Sequence, residues 1–464
     1  MRQIKLYFIL KEGGNQIILT IFASEIKTEI SMHQVELWAL IPFVLMLLSI
    51  AILPLVKEHW WENNTHKLYV SLLLALPAAI YLIANDMGSN LEHQILFDYV
   101  PFIVLLASLF VVTGGIHIRG DIQARPLNNT LIMLVGFLLA SFIGTTGAAM
   151  LTIRLLLEVN QQRKYKVHTI LFFIALVANC GGVLTPLGDP PLFLLYLRGA
   201  EFGWFMQLLP EWLFVGVILL VIYFVIDQFA YYRKEETANI MADIRERYPI
   251  TITGKINIIY LLGIILSVSF LNPSYIPAMG DHHAPLYIRF LREIALVAMG
   301  VMSWMTTKKS IRKDNKYSWE PIIEVAYLFI GIFVTMTPAL IYLNAHAADL
   351  GLSQPWQFFY ASGFLSAFLD NSPTAVAFHT VAQGLPTATG AVLEAGIDAM
   401  LLRAIALGSV FFGAMTYIGN GPNFMVKAIA EQSGVNMPSF FGYMIKFSLI
   451  VLLPIYIVAQ LIFF

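Results

Sequence analysis

The chain has 464 residues, 58% of them hydrophobic and only 12% charged, with a formal net charge of -1 and a mean hydropathy of +0.74. A soluble domain is about one-quarter charged, so this chain lacks the polar surface to cover a water-soluble body of its size, and its balanced charge leaves no basic field for nucleic acid. The single cysteine, Cys180, excludes an internal disulfide framework and a multi-Cys metal site.

Residues 1–31 carry Lys5, Lys11 and Lys27 around a short apolar patch, Ile17 to Ala23. The patch is too short for a span, and no small-residue cleavage site follows it. Residues 1–31 therefore read as a peripheral N-terminal extension, or as the product of an upstream start codon ahead of Met32. Strong apolar stretches then fall near 36–56, 68–86, 99–115, 130–157, 168–197, 212–232, 256–272, 288–306, 321–343, 356–385, 401–430 and 440–463. Most match the ~20 residues that span a bilayer as helix. Four are too long for one straight helix and carry polar or Gly/Pro breaks: 130–157, 168–197, 356–385 and 401–430.

Basic loops set the orientation. Arg163, Lys164 and Lys166 lie in 158–167, Arg233, Lys234, Arg245, Arg247 and Lys255 in 233–255, and Lys308, Lys309, Arg312, Lys313 and Lys316 in 307–320. Two crossings separate each from the next, so all three share one side, which the positive-inside rule makes cytoplasmic. The segment 130–157 has basic residues at both ends (Arg119 and Arg125 before it, Arg163 after it). A re-entrant hairpin turning at Gly144-Thr145-Thr146-Gly147 keeps both ends inside, whereas a long tilted helix would expose one.

The second half repeats the order: three spans, a hairpin around Leu369-Asp370-Asn371-Ser372-Pro373-Thr374, a broken span at 401–430 and a last span at 440–463. Each half makes an odd number of crossings, so the second starts from the opposite side. The expected fold is an all-α polytopic membrane protein of two inverted-topology repeats, each with a re-entrant hairpin and a broken transmembrane helix. The halves are 32–232 and 256–464, joined by a cytoplasmic linker at 233–255. Thr185-Pro186-Leu187-Gly188-Asp189-Pro190-Pro191 aligns with Thr416-Tyr417-Ile418-Gly419-Asn420-Gly421-Pro422 at an offset of 231 residues, and Thr, Gly, Asp or Asn, and Pro recur in order.

Glycine and proline unwind a membrane helix: Gly181, Gly182, Pro186, Gly188 and Pro191 in the first half, Gly419, Gly421 and Pro422 in the second. Freed carbonyls and side-chain oxygens can hold a cation, and half-helix N-termini can hold an anion. Two acids fall in the breaks, Asp189 and Asp370, with no Lys or Arg in either hairpin tip or either break. Intramembrane charge is expensive and usually functional. Two carboxylates without a local base suit a cation, and desolvation suits them to a proton when the metal ion leaves. Asp189 and Asp370 are thus expected to bind Na+ or H+ competitively, with Thr145, Thr146, Thr185, Asn371, Ser372, Thr374, Thr416 and Asn420 as neutral ligands, and Na+ placed at Asp370, Asn371 and Asn420. The structural alternatives are that Asp370 caps a half-helix, that hydroxyls bond their own backbone, and that Asn179, Cys180, Gly181 and Gly182 serve packing. His346 and His379 flank the second hairpin as pH-sensing or structural residues.

Five motifs in order carry a resemblance: Gly114 to Asp121, Ala140 to Ala148, Asn179 to Pro191, Ala367 to Thr374, and Phe411 to Asn423. Over roughly residues 36–464 they resemble the ion-transporter superfamily, nearest the NhaD-type sodium/proton antiporters and their citrate-transporter-like relatives. The resemblance implies elevator-type or related alternating access around two hairpins and two broken helices, and by analogy a homodimer. Dicarboxylate symporters of this superfamily carry Ser-Asn-Thr at both hairpin tips, and neither tip here does. The expected function is Na+(Li+)/H+ antiport in a bacterial inner membrane, with no cofactor beyond the transported Na+ and H+. The alternatives are Na+- or H+-coupled citrate or dicarboxylate symport, an intramembrane aspartyl protease using Asp189 and Asp370, and a passive channel. Residues 186–189 read Pro-Leu-Gly-Asp, so the protease GxGD motif is absent.

Overall fold

The computed structural model describes residues 35–464 other than 246, 388 and 389. The expected extension at 1–31, and Met32, lie outside the described residues. The chain is an all-α polytopic membrane protein, and among the described residues seven helices are long and apolar enough to cross a membrane.

Three helices open the chain, α1 (Ile41–Val56), α2 (Asn64–Ala84) and α3 (Val100–Thr113). A strand, β1 (His117–Asp121), leads to α4 (Pro126–Ile143) and α5 (Thr145–Val159). Then come α6 (Val167–Leu176), α7 (Pro190–Leu197) and α8 (Leu209–Ile226). Strand β2 (Tyr248–Thr253) precedes α9 (Ile256–Phe270), α10 (Leu291–Thr306) and α11 (Glu320–Ala345). Next are α12 (Pro355–Phe368) and α13 (Asn371–Gln383), followed by a two-residue ribbon of β3 (Leu393–Glu394) and β4 (Ile397–Asp398). The chain ends in α14 (Ala399–Gly413), α15 (Gly421–Gln432) and α16 (Leu453–Phe463).

Gly144 turns α4 back into α5. Its φ of +82° is the left-handed region that glycine adopts without strain. At the far ends of the two helices Asn129 and Asn160 exchange side-chain hydrogen bonds of 2.8 and 2.9 Å. The unit 126–159 is therefore a hairpin whose ends meet. Its base is tied to the segments carrying the basic residues. β1 pairs antiparallel with β2, and the Ala124 amide donates to the Asp243 carboxylate at 3.2 Å. Arg163 makes a two-pronged contact with Asp227, at 2.9 and 2.6 Å. Such a fork on a carboxylate holds its geometry firmly.

A different set of contacts gathers the 198–211 loop and the 393–398 ribbon. Arg403 pairs with Glu211 at 3.1 Å, and the Glu201 amide donates to Glu394 at 2.5 Å. Asn344, at the end of α11, donates to the Thr380 carbonyl of α13 at 3.3 Å. His379 of α13 bonds the Ala395 carbonyl at 3.0 Å, in the ribbon whose Glu394 accepts from the Glu201 amide, so the base of the α12–α13 hairpin lies beside the 198–211 loop.

Two breaks interrupt the remaining spans. Between α6 and α7 the chain passes through a short turn, Cys180–Val183, and a non-helical loop. A Cβ on Gly188 would lie 2.2 Å from the Gly182 carbonyl, so two backbone segments touch here. Between α14 and α15 the same approach recurs: a Cβ on Gly419 would lie 2.7 Å from the Gly413 carbonyl. Long α11 is the most buried of the membrane-length helices, packed against α2, with Lys67 paired to Glu324 at 2.7 Å.

Candidate functional site

Four helices begin at one place. Thr145 opens α5, Asp189 precedes α7, Asn371 opens α13 and Asn420 precedes α15. Their side chains meet. Thr145 Oγ1 donates to Asp189 Oδ1 at 2.7 Å, Asn420 Nδ2 to the same oxygen at 3.0 Å, and Asn371 Nδ2 to Asp189 Oδ2 at 2.6 Å. Asp189 is buried, 1% exposed, yet no described Lys or Arg forms an ion pair with it. Its negative charge is instead met by neutral donors and by the positive ends of four helix dipoles.

The hairpin tip and the first break are also joined through the backbone, where the Thr145 amide donates to the Gly188 carbonyl at 2.7 Å. Adding a Cβ to Gly182 would bring it within 2.6 Å of the Thr145 side chain and 3.1 Å of Asp189 Cβ. The close glycine approach is thus what lets the tip reach the carboxylate.

Behind Asn420 runs a line of amides. Asn420 Nδ2 also donates to Asn179 Oδ1 at 3.1 Å and to the Ala178 carbonyl at 3.1 Å. Asn179 Nδ2 donates to Asn423 Oδ1 at 2.7 Å, and Asn423 Nδ2 to the Gly413 and Thr416 carbonyls at 2.8 and 2.9 Å. Each NH2 is committed, so each amide orientation follows from the next. Asn423 was missed by the sequence reading and Asn179 was weighed only for packing. A signal was present, since Asn420 and Asn423 are three apart at the start of a helix and share a face.

The other expected site residues divide. Thr146 lines a cavity beside Thr145 and Asp189. Thr185 donates to the Ser141 carbonyl and accepts from the Leu187 amide at 3.2 Å. Thr416 donates to the Ala367 carbonyl and accepts from the Gly419 amide at 3.1 Å. These two threonines therefore tie each break to its neighbouring hairpin, one in each half. Thr374 donates to the Asp370 carbonyl at 2.9 Å, a bond within its own helix turn, and Ser372 Oγ donates to Asn371 Oδ1 at 3.3 Å. Asp370 is half-buried and accepts from the Ser372 amide at 2.9 Å, capping α13. The Asn371 and Asn420 side chains meet at Asp189, whereas the side-chain bond of Asp370 goes to its own helix.

Of the break residues, Gly181 presents its carbonyl to Ser141 Oγ at 2.5 Å and to Trp212 Nε1 at 3.1 Å. Pro191 and Pro422 stand in the first turns of α7 and α15, where a missing amide hydrogen costs little. A Cβ on Gly421 would meet nothing within 4 Å. Pro186 joins Gly188, Asp189 and Thr146 around a cavity of about 80 Å³, whose opposite wall is apolar, from Leu105, Leu109 and Phe110 of α3 and Ile322 of α11. That wall continues to Pro321, next to the basic loop 307–320.

A family model described as "Putative citrate transport" matches residues 32–464. No curated protein matches the chain. With a match over nearly its whole length, this integral membrane protein belongs to the putative citrate transport family and is a secondary transporter.

Proposed function

We propose that the protein is a Na+(Li+)/H+ antiporter working by alternating access, with Asp189 binding the cation and the proton in turn. The observation that carries this reading is a buried carboxylate held by Thr145, Asn371 and Asn420, without a basic partner. Na+ or H+ supplies the charge that such a site needs. The adjoining cavity of about 80 Å³ suits a small ion, since pockets for organic ligands measure roughly 300 Å³ or more. On binding Na+, Thr145, Thr146, Asn371 and Asn420 turn oxygens toward the ion. Asp370 stands next to Asn371, which donates to Asp189, and adds negative potential to the site. Thr185, Thr416, Ser372 and Thr374 keep the breaks and the second tip in shape.

Residues 32–232 and 256–464 act as two inverted repeats. What supports this is the shared helix order, and the ties of one hairpin base to the basic loops and of the other, through the 393–398 ribbon, to the 198–211 loop. The chain works as a transporter rather than an enzyme, in a bacterial cytoplasmic membrane and as a homodimer.

A second reading is Na+- or H+-coupled uptake of citrate or a dicarboxylate. Two observations favour it: the meeting of four helix N-termini, which suits an anion, and the family description. Proteoliposomes separate the two. A Na+ gradient with an internal pH dye and no organic substrate drives proton movement in an antiporter; movement that waits for citrate or succinate would overturn the proposal.

A further inference from the structure

Arginines on the basic side mostly have partners. Arg163 grips Asp227, Arg119 lies beside Glu158 and Tyr248, and Arg312 donates to the Val111 carbonyl. Arg125 and Arg247 differ. Both are exposed, both line one open cavity of about 520 Å³ at the base of the α4–α5 hairpin, and neither forms an ion pair with a described residue. Gln123, Asn128 and Pro249 complete that wall, together with Asp121, while the nearby Asp243 carboxylate is engaged by the Ala124 amide.

An apolar stripe climbs away from the two arginines. Leu127, which itself lines the cavity, is 57% exposed, and above it on α4 Leu131, Val135, Leu138 and Phe142 are 48%, 50%, 45% and 41% exposed. Steps of four, four, three and four residues keep these side chains on one helix face. At 1.5 Å per residue the stripe is about 22 Å long, enough to cover the roughly 15 Å of hydrocarbon in one leaflet.

We propose that this cavity and stripe form a binding site for an anionic phospholipid, with the phosphate between Arg125 and Arg247 and an acyl chain along α4. The guanidinium fork matches phosphate geometry, and the cytoplasmic leaflet is the one that carries anionic headgroups. A water-soluble anion would use the arginines alone and gain nothing from the apolar face that begins at Leu127 in the same cavity. A lipid uses both. Bound there, it braces the hairpin base one turn from the Asn129–Asn160 pair, and so the element that carries Thr145 to Asp189.

The test is native mass spectrometry of the purified full-length protein, titrated with phosphatidylglycerol, with phosphatidylcholine of the same chains, and with inorganic phosphate. The wild type retains phosphatidylglycerol preferentially. Arg125→Ala/Arg247→Ala weakens that retention about thirtyfold, while Arg233→Ala/Lys234→Ala, on the same side but outside the cavity, leaves it unchanged. Equal retention of phosphatidylcholine by the wild type, which needs no variant, overturns the proposal. So does unchanged phosphatidylglycerol retention in the Arg125/Arg247 variant. Displacement of the lipid by inorganic phosphate at matched concentration would reduce the site to a plain anion pocket. A dimer broken by Leu131→Glu, with lipid retention intact, would give the stripe to a second copy.

Discussion

Asp189 Oδ1 accepts a hydrogen bond from Asn420 Nδ2, the side chain 231 residues further on that holds the same place in the second break. The first half of the chain thus supplies the charge and the second a neutral donor to it. Asp189→Asn removes the only ionisable group of the pair and is expected to abolish exchange in proteoliposomes without lowering thermal stability. Asn420→Ala removes a hydrogen bond to a charged group, worth about 1.5–3 kcal/mol, and should weaken function by roughly ten- to a hundredfold. Wild-type exchange in Asp189→Asn would remove Asp189 from the mechanism.

If one carboxylate takes Na+ or H+ in turn, the two ligands compete. Protonation neutralises Asp189, so apparent Na+ affinity falls as pH falls. Once the protonated form dominates, the Na+ concentration for half-maximal exchange should rise about tenfold per unit of pH lost. The maximum rate at saturating Na+ on the binding side should change less. A half-saturating Na+ concentration that is flat across pH 5–8 would rule out competition at a single site.

Asp370 is the contrasting acid. Its side chain caps α13 through the Ser372 amide, and Asn caps about as well as Asp. Asp370→Asn is therefore expected to keep its thermal stability and most of its exchange, whereas Asp370→Ala should lose about 1 kcal/mol of stability. Circular-dichroism melts beside the liposome assay separate the two roles. Loss of exchange in a fully stable Asp370→Asn protein would show that its charge, not its cap, matters.

These contrasts locate what was legible in the sequence. The breaks were, because Gly188 with Pro186 and Gly419 with Pro422 unwind a helix through local backbone chemistry. The first hairpin was, because Arg119, Arg125 and Arg163 cannot share one side if the segment between them crosses once. The gathering around Asp189 was not. Thr145, Asn371 and Asn420 arrive from 44, 182 and 231 residues away, and no period in the chain encodes such meetings. In the sequence Asp370 reads both as an ion ligand and as a helix cap, because both roles place a carboxylate at a half-helix start; the structure adds the bond from the Ser372 amide. Asn423 was hidden for the converse reason: its importance lies in orienting Asn179, which touches Asn420 but not Asp189.

The hairpin base offers a stability test that leaves the ion site untouched. Asn129 and Asn160 are buried and bonded to each other through both amides. Asn129→Ala strands part of the Asn160 amide, which keeps only its bond to the Leu156 carbonyl at 2.8 Å. The expected cost is about 1–3 kcal/mol. The Asn129→Ala/Asn160→Ala double variant should cost clearly less than the sum of the singles, since the second change removes a group the first left unsatisfied. Additive losses in melting experiments would mean that the pair does not act as a unit.

Glycines in the two breaks should respond oppositely to the same substitution. Gly188→Ala drives a methyl group to 2.2 Å from the Gly182 carbonyl, and Gly419→Ala drives one to 2.7 Å from the Gly413 carbonyl and 2.9 Å from that of Ser366. Backbone atoms cannot swing aside as a side-chain end can, so both variants should fail to accumulate as monodisperse protein. Gly421→Ala meets open space at the start of α15. At that first helical position, ahead of Pro422, an alanine meets no clash and gains little propensity, so the variant's yield and melting temperature should match wild type. Gly421 belongs to the same sequence motif as Gly419, and a motif-level reading treats the two alike. Size-exclusion profiles of the three variants distinguish a break that needs close backbone approach at one glycine from one that needs glycine throughout. Normal folding of Gly188→Ala would show that the contact between Gly182 and Gly188 is not what brings Thr145 to Asp189.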